Sequence, residues 1–302
     1  MTPGDAPTSL PDGSPFDPVA FRERVLALAE PLWRELPWRR TCDPYPIWIS
    51  EVMLQQTQVS RVEARWDSWF ERFSTVGALA AADDADVLAA WQGMGYNRRA
   101  LALHRAACQV VQEHGGNFPR ERDELLALPG VGPSTAAGIR AFAFDEADVY
   151  LETNVRSVFI HEFFPAADEK VADKDLVPLV RACCPPSGCD VRGWYYALLD
   201  YGAWLKKTVP NPSRRSSAYA RQSRFEGSHR QKRAAVVRIL LAARDAGAPL
   251  STERVDTLLG EEALAAGRMP AGLETTALIL RELAAEGFCM EVEAGWKIGA
   301  SV

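Results

Sequence analysis

The chain has 302 residues, 47% of them apolar and 25% charged, an inventory that suits two packed domains and excludes a disordered charged tail. No apolar run reaches the ~20 residues that span a bilayer, and the start lacks the basic and apolar blocks of a secretion signal. With 34 Lys+Arg against 40 Asp+Glu the net charge is −6, a balance that taken alone argues against a nucleic-acid partner.

Residues 1–15 are rich in Pro, Gly, Asp and Ser and are expected to form a flexible tail. From Phe16 to about Tyr201 the pattern is helical with short breaks. Phe21, Val25, Leu28 and Leu32 form one apolar stripe. The segment from Pro46 to Phe73 follows, with Ser50 as the expected N-cap before Glu51. Gly93 and Gly95 close the next helical stretch, and the pair Gly115–Gly116 closes the one after it. Residues 121–144 read as two helices joined by the tight turn Pro129-Gly130-Val131-Gly132. Strand-like alternation is nearly absent, so residues 16–205 are expected to be an all-α domain. The polar, basic, turn-rich stretch 206–233 reads as a linker or extended wrap. Residues 234–302 then read as three helices and a hairpin, a small winged-helix-like module. The six cysteines do not make a disulfide scaffold in a chain of this length, which points to a reducing cytoplasm.

The stretch 125–139, LLALPGVGPSTAAGI, carries the most specific chemistry. Its two glycines let the chain reverse tightly, and the N–H groups of Gly130, Val131, Gly132, Ser134 and Thr135 are expected to face a phosphate at the N-terminus of the second helix. A plain helix–helix connection is the alternative for a bare Gly-Val-Gly. The complete string is far rarer, and it resembles the helix-hairpin-helix of the HhH-GPD base-excision DNA glycosylases. LPWR at 36–39, PYPIWISEVMLQQTQV at 44–59, WQGMGYNRRA at 91–100, HGGNFP at 114–119 and ALLDYGA at 197–203 extend the likeness. Over residues 30–205 the chain resembles the MutY-type adenine glycosylases, which remove adenine mispaired with 8-oxoguanine.

The resemblance implies a mostly α, two-lobed helical fold and double-stranded DNA with a lesion or mismatch as partner. It makes Glu51 the general acid that protonates the departing base. Glu152, followed by Asn154, stands at the position of the family's catalytic Asp. Ser134 stands where members that also nick the backbone carry a Schiff-base Lys, so a monofunctional enzyme is expected. Gln56 and Thr57 match residues that enter the base stack, and Tyr96 matches a wedge beside the mispair. Trp38, Arg39 and Leu54 are expected around the base pocket. The carbonyls of Leu126, Leu128 and Val131 match those that hold K+ or Na+ in the hairpin. A monomer is expected, located with the nucleoid in the cytoplasm.

The residue types suit base excision. The target base must leave the stack for a pocket, and N-glycosidic cleavage builds positive charge on the sugar while electrons move into the base. One protonated carboxyl aids departure and a second, ionised one stabilises the sugar cation.

Four departures stand out. Relatives hold an iron–sulfur cluster through C-x6-C-x2-C-x5-C, where this chain has Lys206, Ser213, Ser216 and Gln222, so no cluster is expected. Cys183, Cys184 and Cys189 lie upstream at the wrong spacing. The module after Glu226 is too short and too helical for the family's β-rich reader of oxidised guanine. Glu152 is one methylene longer than Asp, and Asn97 replaces a Tyr beside the wedge. These departures leave room for a glycosylase acting on another lesion, such as mismatched uracil or thymine, or for a DNA-binding protein that has lost excision.

The charge is unevenly spread. Between Asp200 and Arg238 ten basic residues face two acidic ones, a window of +8 against −14 elsewhere. Arg214 and Arg215, in the place of the cluster, are therefore expected to track DNA phosphates.

Overall fold

The computed structural model describes residues 13, 15–165, 170–221 and 224–299. The expected tail 1–15 lies, apart from Gly13 and Pro15, outside them. The helical expectation holds: the described residues form a succession of α-helices with one short antiparallel hairpin at the C-terminal end.

Helix α1 (Pro18–Ala29) starts where Asp17 accepts hydrogen bonds from the backbone N–H of Val19 and Ala20, with Pro18 at the first helical position. Phe21 and Val25 are buried, but Leu28 is 43% exposed. Ala29 takes the buried position after Val25 instead, and at Pro31, which cannot continue the α-helical ladder, the chain tightens into a 3-10 turn at 30–32 from which Leu32 still packs against the core. Helix α2 (Pro44–Met53) is capped by Asp43, not by Ser50. Ser50 lies inside it, with its hydroxyl donating to Ile47 O at 2.7 Å.

Four helices follow: α3 (Val59–Arg72), α4 (Val76–Ala80), α5 (Asp84–Ala90) and α6 (Arg98–His114). Gly115 ends α6 in the left-handed conformation that the glycine pair foretold. Five more come next: α7 (Arg122–Ala127), α8 (Pro133–Phe144), α9 (Thr153–Phe163), α10 (Asp173–Cys183) and α11 (Val191–Thr208). The C-terminal part holds α12 (His229–Asp245), α13 (Thr252–Ala265), α14 (Leu273–Ala285) and the hairpin of β1 (Cys289–Val292) and β2 (Gly295–Ile298). Leu250 and Trp296 exchange both backbone hydrogen bonds, which adds a one-residue third strand position between α12 and α13. That order is the three helices and hairpin expected of this part.

Packing does not follow the expected boundaries. The chain divides into two compact units, one drawn from Met1–Gln55 and Phe118–Arg221, the other from Gln56–Asn117 and Gln222–Val302. The C-terminal module is therefore not a free-standing appendage, and the helices of 56–117 do not belong with the rest of 16–205. Ion pairs fix the module onto those helices: Arg244 meets Asp86 at 2.9 Å and Arg98 meets Glu286 at 2.6 Å, while Arg233, bridging Glu282 and Glu286, ties α12 to α14 inside the module. Sequence order hides such a pairing, because its partners lie some 150 to 190 positions apart.

The basic stretch 206–233 is also more structured than a linker. Lys206–Thr208 complete α11, and His229–Arg233 open α12 under the Ser228 cap. Between them Ser213 and Ser216 are buried, and Val171 pairs through its backbone with Arg215 and Ser217.

In the first unit, Phe21, Phe159, Phe163, Trp194 and Tyr195 centre the core. Gly202 lets α11 press onto α9, since a Cβ there would lie 2.3 Å from Asn154 O. The same core buries Arg39 and Asp200, whose side chains are each 1% exposed and meet at 2.7 Å and 2.9 Å.

Candidate active site

The first unit brings Glu51 and Glu152 into one electrostatic neighbourhood. Glu51 points from α2 toward α8 at a point where α8 has no side chain. A Cβ on Gly138 would sit 2.3 Å from Glu51 Oε2 and 3.0 Å from Tyr150 Cε2. The Tyr150 hydroxyl hydrogen-bonds the Glu51 carboxyl. Part of the Glu51 surface remains open, yet its carboxyl is closely enclosed by neighbours. Burial, helped by the negative charge of Glu152, pushes Glu51 up to about 8 against the opposing Tyr150 hydrogen bond. At neutral pH this carboxyl holds its proton. Gly138→Ala forces the carboxyl from its place and is expected to lower single-turnover excision about 100-fold, the scale of an ångström misplacement. An unchanged rate in a folded variant would contradict this.

Glu152 is built in the opposite way. It is the N-cap of α9, and its Oε1 accepts the N–H of Asn154 at 2.6 Å and of Val155 at 3.2 Å. The N-terminus of a helix favours an anion at this spot. The extra methylene relative to Asp does not prevent the cap. Asn154 is half-buried on the first turn of α9 and accepts a hydrogen bond from Lys206 Nζ at 2.7 Å. Ser134 lies near the same chain segment, its hydroxyl 3.4 Å from Leu151 O.

The hairpin joins α7 to α8 as expected, with refinements. Gly130 takes φ +77, which requires glycine. Gly132 has φ −94 and nothing within 4 Å of a would-be Cβ, so no neighbour within the chain demands glycine there. The Val131 N–H is used inside the turn, donating to Leu128 O at 3.1 Å, so it is not a phosphate donor. The same bond occupies one lone pair of the Leu128 carbonyl, while Leu126 and Val131 stand on either side of the turn. Thr135 is buried and its hydroxyl accepts from Gln55 Nε2 at 3.1 Å, so its side chain ties α2 to α8 instead of meeting DNA. What remains for a phosphate is the backbone of Gly130, Gly132, Ser134 and Thr135.

Two pocket assignments are corrected. Arg39 is locked between the rings of Trp33 and Tyr196 and paired to Asp200, so it is a structural cation. Trp38 is 4% exposed and lies in the core, whereas Leu54 at the end of α2 keeps an open face.

Gln56, Thr57 and Tyr96 belong to the second unit. Among the described residues four non-glycines have positive φ, and Gln56 (φ +52) and Tyr96 (φ +50) are two of them. Such strain persists where surrounding structure or function requires it. Tyr96 is 39% exposed, and its hydroxyl accepts from Arg230 at 2.9 Å. Arg99 donates to Gly95 O at 3.0 Å and to Thr57 Oγ1 at 3.2 Å, bracing both segments.

The basic window is partly consumed inside the protein. Arg233 and Arg238 pair with glutamates, and Arg215 donates to Phe164 O at 2.5 Å. Arg214 and Lys207 are exposed. Arg214→Ala is expected to reduce the slope of log affinity against log salt by ~1, with Arg215→Ala acting on stability instead. Equal slopes in wild type and the Arg214 variant would contradict this.

The positions of the cluster cysteines do not fit iron. Lys206 is engaged by Asn154, the Ser213 hydroxyl donates to Asn211 Oδ1 at 2.8 Å, and Ser216 caps the Ala218 N–H at 3.1 Å. Gln222 lies outside the described residues. Cys183 is core, Cys184 is half-buried and Cys189 is exposed.

The HhH-GPD superfamily model of base excision DNA repair proteins matches residues 49–182, the span that holds Glu51, the hairpin and Glu152. The adenine DNA glycosylase of Mycolicibacterium smegmatis is 36% identical over 242 residues, covering 74% of this chain and 80% of its own length. This chain belongs to the HhH-GPD superfamily. Its likeness is to the MutY-type members, and it is a DNA glycosylase, a hydrolase of N-glycosyl bonds. The adenine DNA glycosylase of Mycobacterium tuberculosis is 34% identical over 261 residues, covering 78% of this chain and 84% of its own length. A solved thermostable thymine-DNA glycosylase superposes with a TM-score of 0.53 at 26% identity, covering 61% of this chain and 85% of its own. No helix among the described residues is long and apolar enough to cross a membrane.

Sequence reasoning missed Tyr150, Gly138, Gly202 and Lys206. Gly138 had a readable signal, because a glycine inside a helix costs about 1 kcal/mol against alanine and needs a packing reason.

Proposed function

We propose that this protein excises adenine from mispairs with 8-oxoguanine or guanine, as a monofunctional glycosylase that works without an iron–sulfur cluster. The observation that carries the reading is a pair of carboxyls in contrasting surroundings. Glu51 is enclosed and proton-holding, whereas Glu152 is set against the N-terminus of α9.

Glu51 passes its proton to the flipped base as the bond from C1′ to nitrogen breaks and its electron pair moves into the ring. The Glu152 carboxylate faces the cationic sugar that results. Water then bonds to C1′ and gives up a proton, which returns a carboxyl to its starting state. Ser134 has no amine to form a Schiff base, so no lyase step follows. K+ or Na+ on the carbonyls of Leu126, Leu128 and Val131 would steady the hairpin on phosphate. The names of the relatives support adenine as the departing base.

The test is single-turnover reaction of duplexes containing A:8-oxoguanine, A:G, T:G and U:G at enzyme excess, with alkali to reveal abasic sites and borohydride to trap any Schiff base. Abasic product from the adenine mispairs without a trapped complex is the expected result. Product from T:G or U:G alone would move the substrate to a pyrimidine. No product from any duplex would overturn the reading.

A further inference from the structure

Lys206 stands where the family's first cluster cysteine would be, and its side chain turns inward to the site. It follows Gly202 by four positions, so both lie on one face of α11. At Gly202 the two helices touch backbone to backbone, a would-be Cβ lying 2.3 Å from Asn154 O and 2.7 Å from Asn154 Cβ. One turn later Lys206 Nζ reaches Asn154 Oδ1 at 2.7 Å. The main-chain N–H of Asn154 donates in turn to Glu152 Oε1 at 2.6 Å. Asn154 thus meets both groups through separate atoms, its side-chain oxygen taking Lys206 from α11 and its main-chain N–H serving Glu152 at the first turn of α9.

An ammonium can only donate. Asn154 must therefore commit its carbonyl oxygen to Lys206, which leaves the amide NH2 facing away as a donor. Without Lys206 the side chain could rotate and present either end. The charges that act on Lys206 are Glu152, which favours its cationic form, and Arg34, which opposes it; burial lowers its pKa from the ordinary lysine value.

We propose that Lys206 is a positioning residue of the catalytic centre, fixing the Asn154 side-chain amide as a donor toward the reacting nucleoside beside Glu152. The inference rests on the glycosylase reading. Lys206→Met is expected to slow single-turnover excision of adenine about 10–100-fold while duplex affinity and Tm stay near wild type. Lys206→Arg should recover much of the rate. In an Asn154→Ala background the Lys206→Met change should add little, because both remove the same arrangement.

A second readout does not need turnover. The Asn154 side-chain 1H–15N pair should give a well-dispersed NMR signal in the wild type that collapses toward free-amide shifts in Lys206→Met. A wild-type rate in Lys206→Met, full additivity with Asn154→Ala, or an unchanged Asn154 signal would overturn the proposal. So would a borohydride-trapped complex that disappears in Lys206→Met, since Lys206 would then be a nucleophile. If the wild type excises nothing, the functional reading fails, and the Asn154 signal still decides the role of Lys206.

Discussion

Replacing Glu51 with Gln is expected to cut single-turnover excision of adenine by about 10²–10⁴-fold while duplex binding persists. The size follows from the role. A base leaving as an anion needs a proton in the transition state, and Glu51 is the enclosed carboxyl that still holds one at neutral pH. Glutamine fills the same space beside Gly138 and Tyr150 but has no proton to give. The same variant has a stability signature. Between the ordinary carboxylate value of 4.5 and about 8, the folded protein binds the Glu51 proton more tightly than the unfolded chain does. Wild-type stability therefore falls as pH rises through that window, and Glu51→Gln removes this component of the slope. Thermal unfolding at several pH values measures it. A Glu51→Gln variant that binds but does not excise separates a glycosylase from a protein that merely binds damaged DNA.

The largest effect on stability is expected at Asp200. Its carboxylate accepts from Arg39 Nη1 and Nη2 at 2.7 Å and 2.9 Å and from Arg34 Nε at 2.5 Å. Arg39 has no route to solvent, held as it is against Trp33 and Tyr196. Asp200→Ala leaves that guanidinium buried without its counter-ion, at a cost of about 3–5 kcal/mol, or a Tm lowered by about 10 °C. Removing both charges, as in Arg39→Met with Asp200→Leu, should cost much less than Asp200→Ala alone. Urea or thermal unfolding of the three variants checks this. A double variant that is no more stable than Asp200→Ala would show that the pair is not the source.

These two sites also show what the sequence could and could not carry. The hairpin was legible because its demands are local: Gly130 must take positive φ, and Pro133 opens α8. Glu51 and Glu152 were legible through motif order. Arg39 was misplaced because LPWR looks the same whether its arginine faces a ligand or the core. What decides is Asp200, 161 positions away, brought alongside by α11. Tyr150 and Gly138 were missed for the same reason, since their roles exist only where α2 crosses α8. The grouping of 56–117 with the C-terminal module depends on ion pairs between distant segments that no local pattern announces. The −6 net charge misled in both directions. The basic window is real, but Arg233 and Arg238 serve internal pairs and Lys206 serves the site, which leaves Arg214 and Lys207 among its outward cations.

The central claim is that Glu51 delivers the proton, and the pH dependence of single-turnover excision on an A:8-oxoguanine duplex tests it most directly. The rate should hold through neutral pH and fall with unit slope above about 8, as Glu51 loses its proton, with that limb absent from the residual activity of Glu51→Gln. A wild-type rate that stays level or rises from pH 7 to 10 would contradict the account.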